Sequence, residues 1–308
     1  EDVKHFITIA ECSLEELRHV LRVARQLKQE LLDTGANPRR LAGKTLAMVF
    51  EKPSLRTRVS FTVAMNHLGG HAMMLRQEEV GLNTREPAKD IARVLAGMCD
   101  GIMARTFSHD SVAELARWSD VPVINGLTDL GHPCQAMTDL MTIEEHFGNL
   151  VGRTLAFIGD GNNVARSLCV ACGKFGMRFI LASPPAYRIP SEDIDRLMTQ
   201  VPELDFITMD DPRRAVHESD VIYTDTWTSM GQEAQKDQRL RDFAGYQVNQ
   251  DLLAAAPPHA VVLHCMPAYR GLEIAEEVIE GPRSLIFTQA ENRLHFQKGL
   301  LAVLMGGT

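Results

Sequence analysis

The sequence contains no apolar run approaching the roughly 20 residues that a membrane-crossing helix needs. Its first residues, Glu1-Asp2-Val3-Lys4-His5, lack the basic and apolar regions of a signal peptide. Positive charge is not in excess either. Against 32 lysines and arginines stand 40 aspartates and glutamates, a formal net charge of −8. That balance argues against nucleic acid or an anionic membrane as partner, and an anionic substrate must find a local positive pocket. Cysteine is sparse: Cys12, Cys99, Cys134, Cys169, Cys172 and Cys265 are scattered rather than arranged as a disulfide framework. Reduced thiols in a cytoplasmic setting are the expectation. Internal repeats and low-complexity segments are also missing.

What is present is the composition of a globular protein, 45% hydrophobic and 23% charged. A length of 308 residues predicts about two domains. Ser13, with Glu16 completing a capping box, opens a first helix whose apolar stripe is Leu14, Leu17, Leu21, Ala24, Leu27 and Leu31. Beyond it, short apolar runs alternate with amphipathic stretches. Strands are predicted at 45–50, 71–75, 101–104, 121–124, 154–158, 178–181, 221–224, 260–264 and 285–287. Helices are predicted at 57–68, 87–98, 112–118, 134–147 and 164–175. This alternation indicates parallel sheets in an α/β architecture. Periodicity alone leaves one eight-fold barrel or two doubly wound sheets. The helical stretch that ends at Gly148, just before a new strand series, favours two α/β domains, each a doubly wound parallel sheet. The stretch 226–247 has no clear period, which predicts a long functional loop.

Two polar clusters sit at strand-to-helix junctions. Ser54-Leu55-Arg56-Thr57-Arg58 leaves a strand and enters a helix that buries Phe61, Ala64, Met65 and Leu68 and stops at Gly69-Gly70. Two hydroxyls, two guanidiniums and unpaired backbone amides at a helix N-terminus suit a phosphate, although a merely capped helix start has the same composition. Gly131-His132-Pro133-Cys134-Gln135 occupies another such junction, and Arg105 follows the strand at 101–104. In open α/β sheets, ligands gather at these carboxyl ends.

A third junction, Gly159-Asp160-Gly161-Asn162-Asn163-Val164, invites a dinucleotide reading. Val164 stands where the third small residue belongs, and Leu181-Ala182-Ser183 supplies no acid at the next strand end. Nicotinamide binding is therefore weakly supported. Asp225-Thr226-Trp227-Thr228-Ser229-Met230-Gly231 follows a further strand and, read alone, is either a capped turn or a binding loop. Cys169 and Cys172, in an apolar helix without a second ligand pair, read as packing residues.

Ser54-Leu55-Arg56-Thr57-Arg58 resembles the Ser-Thr-Arg-Thr-Arg signature of the aspartate and ornithine carbamoyltransferase family, and His132-Pro133-Cys134-Gln135 matches its His-Pro-x-Gln element. His264-Cys265-Met266-Pro267 is similar to its His-Cys-Leu-Pro, and Glu291-Asn292-Arg293 to its Glu-Asn-Arg. The motifs occur in family order along nearly the whole chain. The resemblance implies that Ser54, Arg56, Thr57 and the Leu55 amide hold the phosphate. It places Arg105, His132, Gln135, Cys265, Met266 and Arg293 around the carbamoyl group, with Arg105, His132, Gln135, Cys265 and Arg293 catalytic. It assigns Asn163, Asp225, Ser229 and Met230 to the amino acid and thereby points to ornithine, with putrescine or an acylated ornithine as the alternative amine.

The implied architecture is two doubly wound domains joined by interdomain helices. Residues 1–133 form a carbamoyl phosphate domain onto which a helix at 290–308 crosses back, and residues 134–289 form an ornithine domain. Implied too are a homotrimer with shared active sites, a 226–247 loop that closes over ornithine, and chemistry without metal or organic cofactor. The sequence departs from the family at Leu55, in place of Thr, and at Gly81, where many relatives place a Gln or His that reaches a neighbouring subunit. Asn83 or Arg85 of the same loop is then the candidate for that contact.

Overall fold

The computed structural model describes residues 4–306, which divide into two compact units. Unit 1 comprises the described residues up to Thr138 together with those from Glu291 onward. Unit 2 is Asp139–Ala290.

Unit 1 opens with α1 (Leu14–Thr34). Ser13 accepts from the Glu16 N–H at 3.2 Å, and the Glu16 carboxylate accepts from the Ser13 N–H at 2.6 Å, so the expected capping box is complete. Leu17, Leu21, Ala24 and Leu27 are buried as the stripe requires, whereas Leu14 is exposed. There follow β1 (Thr45–Phe50), α2 (Leu55–His67), β2 (His71–Arg76), α3 (Gln77–Val80), α4 (Ala88–Ala96), β3 (Gly101–Arg105), α5 (His109–Arg117), β4 (Val123–Leu127) and α6 (Pro133–Phe147). The four strands are parallel, in the order β2-β1-β3-β4. From β1 the chain moves to one neighbour and then to the other, so the carboxyl ends of β1 and β3 flank a topological switch point. Val49, Ile102, Ala104 and Val123 from the strands pack with Ile91 and Ala92 of α4 and Val112 and Leu115 of α5.

Unit 2 contains β5 (Thr154–Ile158), α7 (Asn163–Lys174), β6 (Arg178–Ala182), α8 (Ser191–Gln200), β7 (Asp205–Met209), α9 (Pro212–Val216), β8 (Val221–Thr224), α10 (Lys236–Asp242), α11 (Gln250–Ala254), β9 (Val261–His264) and α12 (Glu276–Ile279). Its strands are parallel, in the order β7-β6-β5-β8-β9, which puts the switch point between β5 and β8. Ile158, Ile222 and Val262 anchor a core that includes Trp227, Phe243 and Val248. The last helix, α13 (Ile286–Met305), contains the second division between the units, as α6 contains the first.

The α/β fold with two parallel sheets is as expected, and several elements are corrected. Residues 285–287 are not a strand. Ile286 begins α13, its N–H donating to Ser284 Oγ at 3.4 Å, and Ser284 makes only an isolated bridge to Val262. The last helix thus starts four residues before the expected position 290. β7 and α8 have no counterpart among the sequence expectations. β7 is an edge strand with a half-exposed run, Asp-Phe-Ile-Thr-Met, that carries no clean alternation. The expected strand at 121–124 is displaced to Val123–Leu127. The supposedly structureless 226–247 stretch holds a 3-10 turn (Glu233–Gln235) and α10, because Trp227 and Phe243 stack with ring centroids 5.6 Å apart and pin both ends to the core.

Candidate active site

In unit 1, the site residues gather at the switch point. Ser54 ends the connection from β1 and caps α2. Its Oγ accepts from the Thr57 N–H at 3.3 Å and donates to Thr57 Oγ1 at 3.1 Å. Thr57 is buried and Arg56 half-buried, while the Leu55 side chain is 72% exposed. At the other side of the switch point, Arg105 is the last residue of β3, paired in register with Phe50, and is buried. The N-terminus of α2 and the Arg105 guanidinium therefore belong to adjacent strand ends. That is an arrangement in which amide dipoles and fixed positive charge favour an anion.

Arg293, on α13, ties this cluster together. Its Nη1 donates to Gln135 Oε1 at 2.7 Å, its Nη2 to Thr57 Oγ1 at 3.4 Å and its Nε to Gln297 Oε1 at 2.9 Å. Three helices, α2, α6 and α13, thus converge on one guanidinium. His132 immediately precedes Pro133, the first residue of α6, and is buried. Burial, then the Arg293 charge, then the Arg105 charge hold its pKa well below the usual histidine value. The imidazole is consequently neutral at pH 7 and acts as a hydrogen-bonding group rather than a cation. Burial pushes the neighbouring Cys134 thiol up to about 12, which leaves it an inert core group.

Lys52, for which the sequence suggested no role, packs 4.2 Å from the Phe107 ring centroid and pairs with Asp129 at 2.9 Å. The Gly81 departure lies in the loop after α3, at its C-cap. Gly81 has φ +66°, and a Cβ there would lie 2.7 Å from Arg85 Cβ, so a Gln or His does not fit this conformation. Asn83 donates to Ser111 Oγ and accepts from the Ala88 N–H, and Arg85 donates to the Glu79 and Val80 carbonyls.

In unit 2, Asp225 follows β8, across the switch point from the Gly159–Val164 turn. Its carboxylate accepts from Asn162 Nδ2 at 2.7 Å and from the Thr226 N–H at 2.7 Å. Asn162, which the sequence reading gave no role, is therefore its direct side-chain partner. Asn162 also caps α7, while Asn163 Oδ1 accepts from the Val164 N–H at 3.0 Å. The Cys265 thiol hydrogen-bonds Asp225. Burial and the adjacent carboxylate drive its pKa well above the usual thiol value, so it is a neutral donor and not a nucleophile. Ser229 and Met230 lie farther along the loop, on the wall of a cavity of about 160 Å³ that Thr226, Lys236, Tyr269 and Glu273 also line. The loop is fastened by Arg239, whose Nη1 meets Asp160 Oδ2 at 2.7 Å and the Trp227 carbonyl at 2.9 Å. Below Cys265, Tyr223 donates to Asp139 at 2.9 Å and Gln289 donates to Asp139 at 2.7 Å.

Asp225, His264 and Cys265 bring ligand-type atoms within 4.8 Å of one another. His264 nevertheless has both ring nitrogens in use. Nδ1 accepts from the Met266 N–H at 2.8 Å, so Nε2 carries the proton and donates to Glu273 Oε1 at 2.9 Å. With no imidazole lone pair left, this trio is not a metal site as folded. Cys169 and Cys172 are fully buried, with burial raising both thiols, in keeping with a packing role.

Residues 4–145 match the family model described as "Aspartate/ornithine carbamoyltransferase, carbamoyl-P binding domain", and residues 151–304 match "Aspartate/ornithine carbamoyltransferase, Asp/Orn binding domain". A curated ornithine carbamoyltransferase from Methanopyrus kandleri is 48% identical over 304 residues, covering 98% of this chain and 97% of that one. The solved ornithine carbamoyltransferase from Pyrococcus furiosus superposes with a TM-score of 0.95 at 45% identity, covering 99% of this chain and 98% of that one. The Thermus thermophilus structure of that name gives 0.88 at 42%, covering 98% and 99%. With its fold and almost its whole length shared in this way, the chain belongs to the aspartate/ornithine carbamoyltransferase family.

Proposed function

We propose that this chain transfers the carbamoyl group of carbamoyl phosphate to the side-chain amine of L-ornithine, releasing L-citrulline and phosphate. The observation that carries the reading is the element from Asp225 to Gly231. It sets a carboxylate after β8 and continues into a loop bearing Ser229 and Met230, in a chain 48% identical to a curated ornithine carbamoyltransferase.

Residues 1–133, with 290–308 returning, serve carbamoyl phosphate, and 134–289 serve ornithine. Ser54, Arg56, Thr57 and the Leu55 amide take the phosphate at the start of α2. Arg105, neutral His132, Gln135 and Arg293 surround the carbamoyl oxygen and stabilise the oxyanion that develops as nitrogen attacks. Asp225 and Ser229 hold the α-ammonium of ornithine, Asn163 and the Met230 amide its carboxylate, and Cys265 with the Met266 carbonyl lies beside the incoming amine. The new bond joins that nitrogen to the carbamoyl carbon, the carbon–oxygen bond to phosphate breaks, and one proton leaves the nitrogen. The amine, with a lysine-like pKa of about 10, must be deprotonated before it attacks. Departing phosphate is a competent acceptor for the remaining proton. Carbamoyl phosphate is already an activated donor, so this step requires neither metal nor organic cofactor.

The site works in a homotrimer with shared active sites and Arg85 as the contact toward a neighbouring subunit. Sedimentation at a single-chain mass refutes that assembly, and an unchanged carbamoyl phosphate KM in Arg85→Ala removes Arg85 from it. None of the described helices is long and apolar enough to cross a membrane. Six free cysteines, five of them buried, suit a reducing cytoplasm. The test is citrulline or carbamoyl-amine formation with ornithine, putrescine, N-acetylornithine and aspartate side by side. Ornithine is expected to dominate. A preference for another amine keeps the chemistry and overturns the substrate.

A further inference from the structure

Glu273 lies outside every motif above, yet it is buried to 1% exposure and makes two hydrogen bonds through one oxygen. Oε1 accepts from His264 Nε2 at 2.9 Å and from the Tyr269 N–H at 2.8 Å. The hydrogen bond to His264 fixes the tautomer of a ring that is itself fully buried, so Nδ1 must be the lone-pair nitrogen. That lone pair receives the Met266 N–H at 2.8 Å. Met266 has φ +57°, a left-handed conformation that a non-glycine residue keeps only when its surroundings hold it. The backbone turn carrying Cys265 and Met266 is thus held by a carboxylate acting through an imidazole. Glu273 also lines the cavity that Ser229 and Met230 line.

We propose that Glu273 is a positioning residue for the transfer step. Through His264 it sets the Cys265-Met266 turn against the attacking amine, and its loss lowers kcat while leaving carbamoyl phosphate binding nearly intact. This rests on the ornithine carbamoyl-transfer reading above. Displacing a reacting group by about 1 Å can cost on the order of 10²-fold in rate.

In Glu273→Ala the His264 Nε2–H has no acceptor, the ring is free to turn and the Met266 N–H loses its partner. In Glu273→Gln the amide oxygen still accepts from both N–H groups. The experiment measures citrulline formation by wild type, Glu273→Ala, Glu273→Gln and His264→Gln, per folded molecule judged by circular dichroism. Expected for Glu273→Ala is a fall in kcat of roughly 10- to 100-fold with the carbamoyl phosphate KM within about threefold, and for Glu273→Gln recovery of most of that loss. His264→Gln keeps a donor toward Glu273 and drops the Met266 contact. It should fold and lose kcat similarly, which decides the matter if the alanine variant does not fold. A folded Glu273→Ala or His264→Gln with wild-type kcat overturns the proposal and leaves Glu273 a packing residue. No citrulline from wild type overturns the underlying reaction instead.

Discussion

Replacing Arg293 by lysine keeps a buried positive charge and removes the fork that delivers it. The guanidinium uses Nη1, Nη2 and Nε toward Gln135, Thr57 and Gln297, at 2.7, 3.4 and 2.9 Å. These acceptors sit on different sides of the group, and a single ammonium reaches at most one of the two short contacts with good geometry. The 3.4 Å contact is weak in any case, so the effective loss is one full-strength, charge-assisted bond. Such a loss is worth about 1.5–3 kcal/mol. If it is expressed in the transition state, at about 1.36 kcal/mol per tenfold, kcat falls roughly 10- to 150-fold. Steady-state citrulline formation with both substrates varied reads this directly, with thermal unfolding confirming that the variant is folded. Gln135→Leu and the double variant complete a cycle. Because the two residues share a bond, the double variant should fall short of the product of the single losses by about 0.5–3 kcal/mol. A folded Arg293→Lys within threefold of wild-type kcat refutes the reasoning, since it makes the three-way fork dispensable and reduces Arg293 to a source of charge.

Asp225→Asn turns one acceptor oxygen into a donor facing Asn162 Nδ2 or the Thr226 N–H. The ornithine KM should rise roughly 10- to 100-fold, from the loss of a charged hydrogen bond of about 1.5–3 kcal/mol. The carbamoyl phosphate Kd by calorimetry should move less than about twofold, and an equal loss for both ligands contradicts the assignment. Gly81→Gln forces a side chain into a left-handed position against Arg85 and should destabilise by about 1–2 kcal/mol in denaturant titration; an unchanged midpoint means the loop adjusts freely. Lys298 is buried, and burial lowers its pKa from 10.5 to about 8. Between those values the unfolded chain holds a proton that the folded one has released, so this group adds stability as pH rises from about 8 toward 10.5. The stability of wild type minus that of Lys298→Met should therefore increase over that window, and a flat difference rules out the shifted amine.

What the sequence disclosed was local. The Ser13–Glu16 box, the Ser54 cap, the runs that became β1, β5 and β8, and the polar groups at their carboxyl ends all depend on neighbours within a few residues. The strand order that turns those ends into switch points comes from pairing across the sheet, and nothing in the runs encodes it. Long-range polar partners were equally hidden. Tyr223 meets Asp139 across 84 positions and Arg239 meets Asp160 across 79, each pair brought together only by tertiary packing. The Asn162–Asp225 bond is of the same kind, since it joins a helix cap to a residue 63 positions away across the sheet. That Gly81 takes a left-handed backbone with Arg85 close beside it is likewise visible only in the folded loop. The misread run at 285–287 shows the limit of composition, for three apolar residues suit a strand and a helix start equally.

Unit 1 is discontinuous in the chain: its body ends at Thr138, and its last segment begins only at Glu291. During synthesis, then, the cluster of Ser54, Arg105 and Gln135 leaves the ribosome without the arginine that ties it together. At about 5–20 residues per second, the intervening residues take roughly 8–30 s to be made. Unit 2 is complete in the meantime, so the first half of the molecule to be translated is the last to be finished. Over that interval the α13 face of unit 1, including the groove where Gly299 lies against Ala24, is open to chaperones and to other nascent chains.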